Sequence, residues 1–232
     1  MKAFLTAVAC TTLTLGLPWA DAAMGPAGQW MPFGMAAVRF EQNATDGDAE
    51  VVFEVRGGDD GLAWLRIVGP DGRTVVEMKA PDPSTLGVRQ LQIESPEPPD
   101  PDVVKAAYPE GAYTISGGTA AGDSLRSRVT LSHSLPGPVV VLQPGDGAEG
   151  VPIAGLRIAW TPVDDAVAYL VTIEDEETGG AFSMTLGQGS DGLWVPDDFL
   201  EPGREYQLAI GTIAENGNAS FVETGFFTAE GN

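Results

Sequence analysis

Asn43, Asp46, Asp48 and Glu50 place four oxygen-bearing side chains within eight residues, around a glycine, Gly47, that permits a sharp turn. If that turn made them converge, they would suit a hard cation such as calcium. Asn, Asp and Gly are also the residues a hairpin turn prefers, and the spacing lacks the twelve-residue loop and closing Glu of the EF-hand. A calcium site and a plain turn both remain open. The other acidic clusters, Asp59-Asp60, Asp164-Asp165, Glu174 to Glu177 and Asp197-Asp198, fall in predicted turns and read as solvated. Two carboxylates suffice for glycoside hydrolysis, but among thirty-three Asp and Glu residues adjacency has no diagnostic value.

Other chemistry has fewer means. His133 is the sole histidine, so no histidine-based metal cluster can form and a Ser-His-Asp site would have to use this one residue. It shares parity with Val129 and Leu131, which puts it at the inward end of a strand as a hydrogen-bonded structural group. Gly117 to Gly122 lacks the lysine and the following helix of a phosphate loop and reads as a hairpin. Trp64, opposite in parity to Leu65 and Ile67, and Trp194, in the loop-like Gly192 to Pro196, are the aromatics that could stack on a sugar or an apolar partner. Trp30 and Phe33 could cover a sheet edge or anchor a partner. Asn43-Ala44-Thr45 and Asn218-Ala219-Ser220 match the glycosylation acceptor pattern, which is common by chance.

Location comes from the N-terminus. Met1-Lys2 is a short basic start, Ala3 to Leu17 is largely apolar, and Ala20-Asp21-Ala22 offers small residues where a signal peptidase reads. Cleavage is expected after Ala22, with secretion to the periplasm or beyond. The apolar run is too short and too interrupted to span a membrane. Lipidation at Cys10 is the lesser alternative; with the leader removed, no cysteine remains for a disulfide or a thiolate. The net charge of −21 argues against nucleic acid and anionic membrane as partners.

The elements that would position these groups are strands. Leu156, Ile158 and Trp160 alternate with Arg157 and Ala159, and Tyr169, Val171 and Ile173 alternate in turn. Leu200-Glu201-Pro202-Gly203-Arg204-Glu205-Tyr206 leads into a third strand, with Leu208 and Ile210 on its inward face. Asn216-Gly217 makes a hairpin, and Phe226 or Phe227 closes the last strand. Roughly residues 138 to 229 resemble a fibronectin type III domain, and the Leu-x-Pro-x-x-x-Tyr segment resembles that family's tyrosine corner. The resemblance implies that Trp160, Tyr169 and Tyr206 are structural.

Upstream, Val51 to Val55, Leu65 to Ile67, Val75 to Met78 and Leu91 to Ile93 read as strands. Turns at Gly57 to Gly61, Gly69 to Gly72 and Pro81 to Ser84 separate them. Pro96, Pro98, Pro99 and Pro101 force a crossing between sheets, and Val103 to Ala107 suits one or two helical turns. Tyr108-Pro109-Glu110-Gly111-Ala112-Tyr113 resembles the start of a late strand in bacterial immunoglobulin-like modules. The whole chain, with its Asn43 to Asp48 segment, resembles secreted bacterial proteins of unassigned function that pair such a module with one fibronectin type III domain.

The expected protein is all-β: a signal peptide at 1–22, an N-terminal segment at 23–35 and an immunoglobulin-like β-sandwich at 36–135. A linker at 136–138, stiff enough to limit interdomain swing without abolishing it, leads to a fibronectin type III-like sandwich at 139–232. The expected function is a non-catalytic extracytoplasmic binding or structural module acting on a protein partner, with an exposed edge strand as one means of pairing. The alternatives are a carbohydrate-binding or calcium-stabilised accessory module, and a hydrolase whose acidic pair the sequence does not identify.

Overall fold

A computed structural model describes residues 30–80, 87–98 and 100–231. The leader, Cys10, most of the 23–35 segment and the turn expected at Pro81 to Ser84 lie outside the described residues. The described elements are β1 (Met35–Asn43), β2 (Ala49–Arg56), β3 (Leu62–Val68), β4 (Thr74–Lys79), β5 (Gln90–Glu94), α1 (Pro101–Ala107), β6 (Gly111–Thr119) and β7 (Ser124–Leu131). They continue with β8 (Val141–Gln143), β9 (Ala148–Val151), β10 (Arg157–Trp160), β11 (Ala168–Asp175), β12 (Ala181–Gly187), β13 (Gly192–Trp194), β14 (Glu205–Ile213) and β15 (Ala219–Thr228).

Period-two patterning explains why the strands pack as they do. Ala49, Val51, Phe53 and Val55 of β2 point into a core with Phe40, Leu65, Ile67, Tyr113 and Ile115, closed by the sheet β4-β3-β6-β7. Trp160, Tyr169, Val171, Ile173, Tyr206, Leu208, Ile210 and Phe226 form a second core between the sheet β13-β10-β8 and the strands β12-β11-β14-β15. Three strands over four is the arrangement the fibronectin resemblance implies. Fully burying an aromatic or aliphatic side chain contributes roughly 1.5–3 kcal/mol, so these two sets dominate stability.

Each sandwich is tied by a tyrosine. The Tyr206 hydroxyl accepts the Glu201 N–H at 2.8 Å, the expected corner. Tyr113 makes a counterpart in the first sandwich by donating to the Pro109 carbonyl at 3.0 Å, and burial pushes its phenol up to about 12. The Tyr169 hydroxyl accepts the Val163 N–H at 2.7 Å and holds the joint after Trp160. Between β5 and β6, Asp100 caps α1 by accepting from the Asp102 N–H, and Pro101 begins the helix where a missing N–H costs nothing. The proline-rich crossing therefore does pass from one sheet to the other.

The two sandwiches share one sheet, which the reading of a short linker with residual swing did not anticipate. β1 pairs with β15 in parallel, with Glu41 opposite Ala219, Gln42 opposite Ser220 and Asn43 opposite Phe221, so an eight-stranded sheet runs from β12 to β5. The linker itself is held: Ser220 Oγ donates to the Pro136 carbonyl and Thr212 Oγ1 to the Gly137 carbonyl, both at 2.8 Å.

Candidate functional site

The shared sheet decides where the acidic residues go. Asn43 ends β1, Asp46 lies in the turn with Gly47 at φ 88°, and Asp48 leads into β2. Asn43 Oδ1 accepts the Thr45 N–H at 2.9 Å and Asp46 Oδ1 accepts the Asp48 N–H at 3.3 Å, the local bonds that Asx turns make. This turn leans on the second sandwich. The Ala44 N–H reaches the Phe221 carbonyl at 2.7 Å, and the Glu223 N–H donates to Thr45 Oγ1 at 2.8 Å.

Glu50 is inside β2 rather than in the turn. It lies on the sheet face opposite the core, directly across from Glu41, and is only 6% exposed. Glu54, four residues on along the same face, is also buried, but Arg39 Nη1 at 3.2 Å and Arg56 Nη2 at 3.3 Å neutralise it. Glu50 has no such partner among the described residues, and its charged neighbours Glu41, Glu94, Glu97 and Asp48 are all acidic. Burial first, and these like charges second, push its carboxyl up to about 8. Asp48, Glu97 and Glu223 are raised for the same two reasons, with burial the larger; an Asn43 hydrogen bond partly offsets the rise at Glu223. Glu97 and Glu223 completed this cluster without any sequence signal, since one follows β5 and the other is on β15. Among the described residues no group of three or more His, Cys, Asp or Glu is arranged to hold a metal ion.

The two aromatics separate. Trp194 is on a short strand, β13, not in a loop, and is 65% exposed opposite Arg157, whose Nη2 pairs with Asp191 at 2.7 Å. Val140 and Leu142 are exposed nearby on and beside β8 of the same small sheet. Trp64 is half-buried and packs closely over Gly118, where a Cβ would stand 2.2 Å from its Nε1. The Arg126 guanidinium sits 4.3 Å from the Trp30 ring, and Phe33 is buried in the first core, so this segment covers β7 as an edge cover would. Trp160, Tyr169 and Tyr206 are core residues.

His133 is half-buried, its Nε2 2.8 Å from the Tyr108 carbonyl and its ring 5.1 Å from Phe40. That is a structural role. Asp175, expected to be solvated with its neighbours, is instead buried. Burial raises its carboxyl, yet the Thr178 and Glu177 N–H donors and Arg204 together bring it below the usual range. A depression of about 540 Å³ opens at the junction, with Ser134, Pro136, Asp165, Glu215 and Asn216 on its wall.

Both glycosylation triplets are structural as well. The Asn218 side chain is 1% exposed: Oδ1 accepts the Phe40 N–H at 2.9 Å, and Nδ2 donates to the carbonyls of Ser132 and Ser134, each at 2.8 Å. Asn43 is buried too.

No protein-family description and no curated protein matches the chain. The solved structures similar to it include the fibronectin(III)-like modules of Clostridium thermocellum CbhA, at 12% identity and a TM-score of 0.34 over 85% of this chain and 92% of that one. A two-domain fibronectin type III segment of chicken tenascin is 14% identical, at 0.31 over 82% and 97%. The FN1–FN3 domains of chicken CNTN1 are 13% identical, at 0.32 over 86% and 68%. The fibronectin type III-like assignment rests on the strand order and the tyrosine corner of this chain. Among the described residues no helix is long and apolar enough to cross a membrane.

Proposed function

We propose that this protein is a non-catalytic extracytoplasmic module that works by binding a protein partner, with its two sandwiches acting as one rigid platform. The observation that carries this reading is the shared sheet. Parallel pairing of β1 with β15, reinforced by Asn218, Ser220 and Thr212, fixes the loops and edges of both sandwiches in one frame. A fixed frame lowers the ordering cost of binding over a broad surface. The chain lacking residues 1–22, immobilised and exposed to envelope and culture-medium extracts, is expected to retain a discrete partner at about 0.3 M salt, where long-range charge attraction is screened. Retention no better than that of an unrelated protein of equal negative charge overturns the reading.

One observation favours a cation-stabilised accessory module as the second reading: the buried, unneutralised Glu50 beside the Asn43, Asp46 and Asp48 turn. Calcium titrated into the chain is then expected to release or absorb heat and to raise the melting temperature. Neither change at millimolar calcium removes this reading. The carbohydrate-binding form of an accessory module would use Trp194, the exposed indole of β13.

A further inference from the structure

Every sheet has edges, and an edge with free N–H and C=O groups pairs with another chain unless something guards it. Among the described residues, six of the seven strands at such positions are guarded. β13 and β8 are three residues long and are closed by Pro196 and Pro144 within two residues of their ends. β9 is four residues long, with Glu149 within it and Pro152 after it. β4 carries Glu77 and Lys79, and β5 ends on Glu94 before Pro96 and Pro98. β7 carries Arg126 and Arg128 and is bridged by Met31.

β12 has none of these devices. It runs seven residues, Ala181 to Gly187, with no charge, no proline and an unbroken register on β11. The uncharged stretch extends from Thr178 to Ser190 in a chain of net charge −21. Its open side can be assigned. The Asp175 N–H donates to the Gly180 carbonyl at one end of the hairpin, and Glu176 N–H donates to the Glu205 carbonyl on the β14 side. By the alternation of an antiparallel ladder, Phe182, Met184 and Leu186 bond inward to β11, while Ala181, Ser183 and Thr185 turn their N–H and C=O groups outward. Ala181, Ser183 and Met184 are exposed.

We infer that β12 is a docking strand that accepts an extended segment of a basic partner as the next strand of the eight-stranded sheet. This rests on the protein-binding reading above and names its surface. Charge selects the occupant. Asp175, Glu176 and Glu177 flank one end of β12 and Asp191 the other, and Arg204 and Arg157 offset only part of that charge. A second copy would bring another −21 and the same acidic flanks. A segment with an uncharged centre and Lys or Arg at its ends satisfies both the ladder and the flanks. Its apolar side chains would meet Met184, 38% exposed, beside Phe182 and Leu186.

The test uses a fluorescent peptide of about nine residues, alternating Thr and Val with a Lys pair at each end, titrated with the full chain. Saturable binding with Kd of roughly 10–100 µM is expected. It should weaken about ten-fold or more when alternate peptide nitrogens are methylated, when the flanks are changed to Glu, and in Thr185→Pro, which deletes an outward N–H without touching the β11 ladder. Thr185→Lys keeps the backbone donor but guards the edge with charge, and it serves if Thr185→Pro fails to melt cooperatively. Binding that is absent, or unchanged in a folded Thr185 variant, overturns the inference. So does a wild-type dimer in sedimentation that Thr185→Lys dissolves without any peptide binding, because the edge then belongs to a second copy. A partner captured equally by wild type and the Thr185 variants leaves the protein-binding role standing and removes β12 from it.

Discussion

Asn218→Ala is expected to lower stability by roughly 2–4 kcal/mol and to divide one cooperative melt into two. The amide is buried at the junction, where it bonds the backbone of the first sandwich at three points. It satisfies the Phe40 N–H on β1 and the carbonyls of Ser132 and Ser134 on the approach to the linker. Removing it orphans one donor and two acceptors with little access for water, and a buried polar group left unpaired costs about 1–3 kcal/mol. The parallel register of β1 on β15 is three residue pairs long, too short to hold without that support. Scanning calorimetry checks this, with Asn216→Ala as comparator; that amide is exposed and makes one bond across the junction, to Ser134 at 3.2 Å. Equal, small losses in both variants would mean that the sandwiches are joined by something other than this hydrogen-bonded seam.

Much of each sandwich was legible because its signals are local. Trp160 and Tyr169 sit in period-two strands, and Tyr206 stands at a fixed offset from Leu200 and Pro202, so a few consecutive residues suffice to identify the core and the corner. The seam had no such signal. Glu41 pairs with Ala219 across most of the chain, and nothing near either residue announces the other. Asn218 matched a glycosylation triplet, whose pattern carries no information on burial. Glu50 follows a turn-like run of Asp and Gly and so groups with that turn in the sequence, whereas its parity with Val52 and Glu54 puts it on the buried outer face of β2. The Gly192 to Trp194 strand was read as loop because glycine and proline bracket it; pairing with β10 overrides those residues.

Glu50→Gln is expected to remove a pH dependence of stability confined to the range between about 4.5 and 8. The folded-state carboxyl is pushed up to about 8 from an ordinary 4.5, so the folded chain prefers the protonated form. The stabilisation from that preference is complete below 4.5, declines as pH rises through the interval and is gone above about 8. At about 1.4 kcal/mol per pH unit, reduced for water at the rim of the cluster, wild type should lose on the order of 3 kcal/mol relative to Glu50→Gln between pH 4.5 and 9. Asp48, Glu97 and Glu223 are shifted in the same direction, so the slope in the variant is reduced rather than abolished for the cluster as a whole. Urea denaturation of both chains at half-unit pH steps gives the difference directly. The amide is close to the carboxyl in shape and carries no charge to repel Glu41, Glu94 or Glu97, so the variant should fold and be the more stable chain at pH 9. A wild-type minus variant difference that stays flat with pH would mean that Glu50 is charged in the folded chain across this interval; a slope that a calcium chelator then restores would assign its neutralisation to a bound cation.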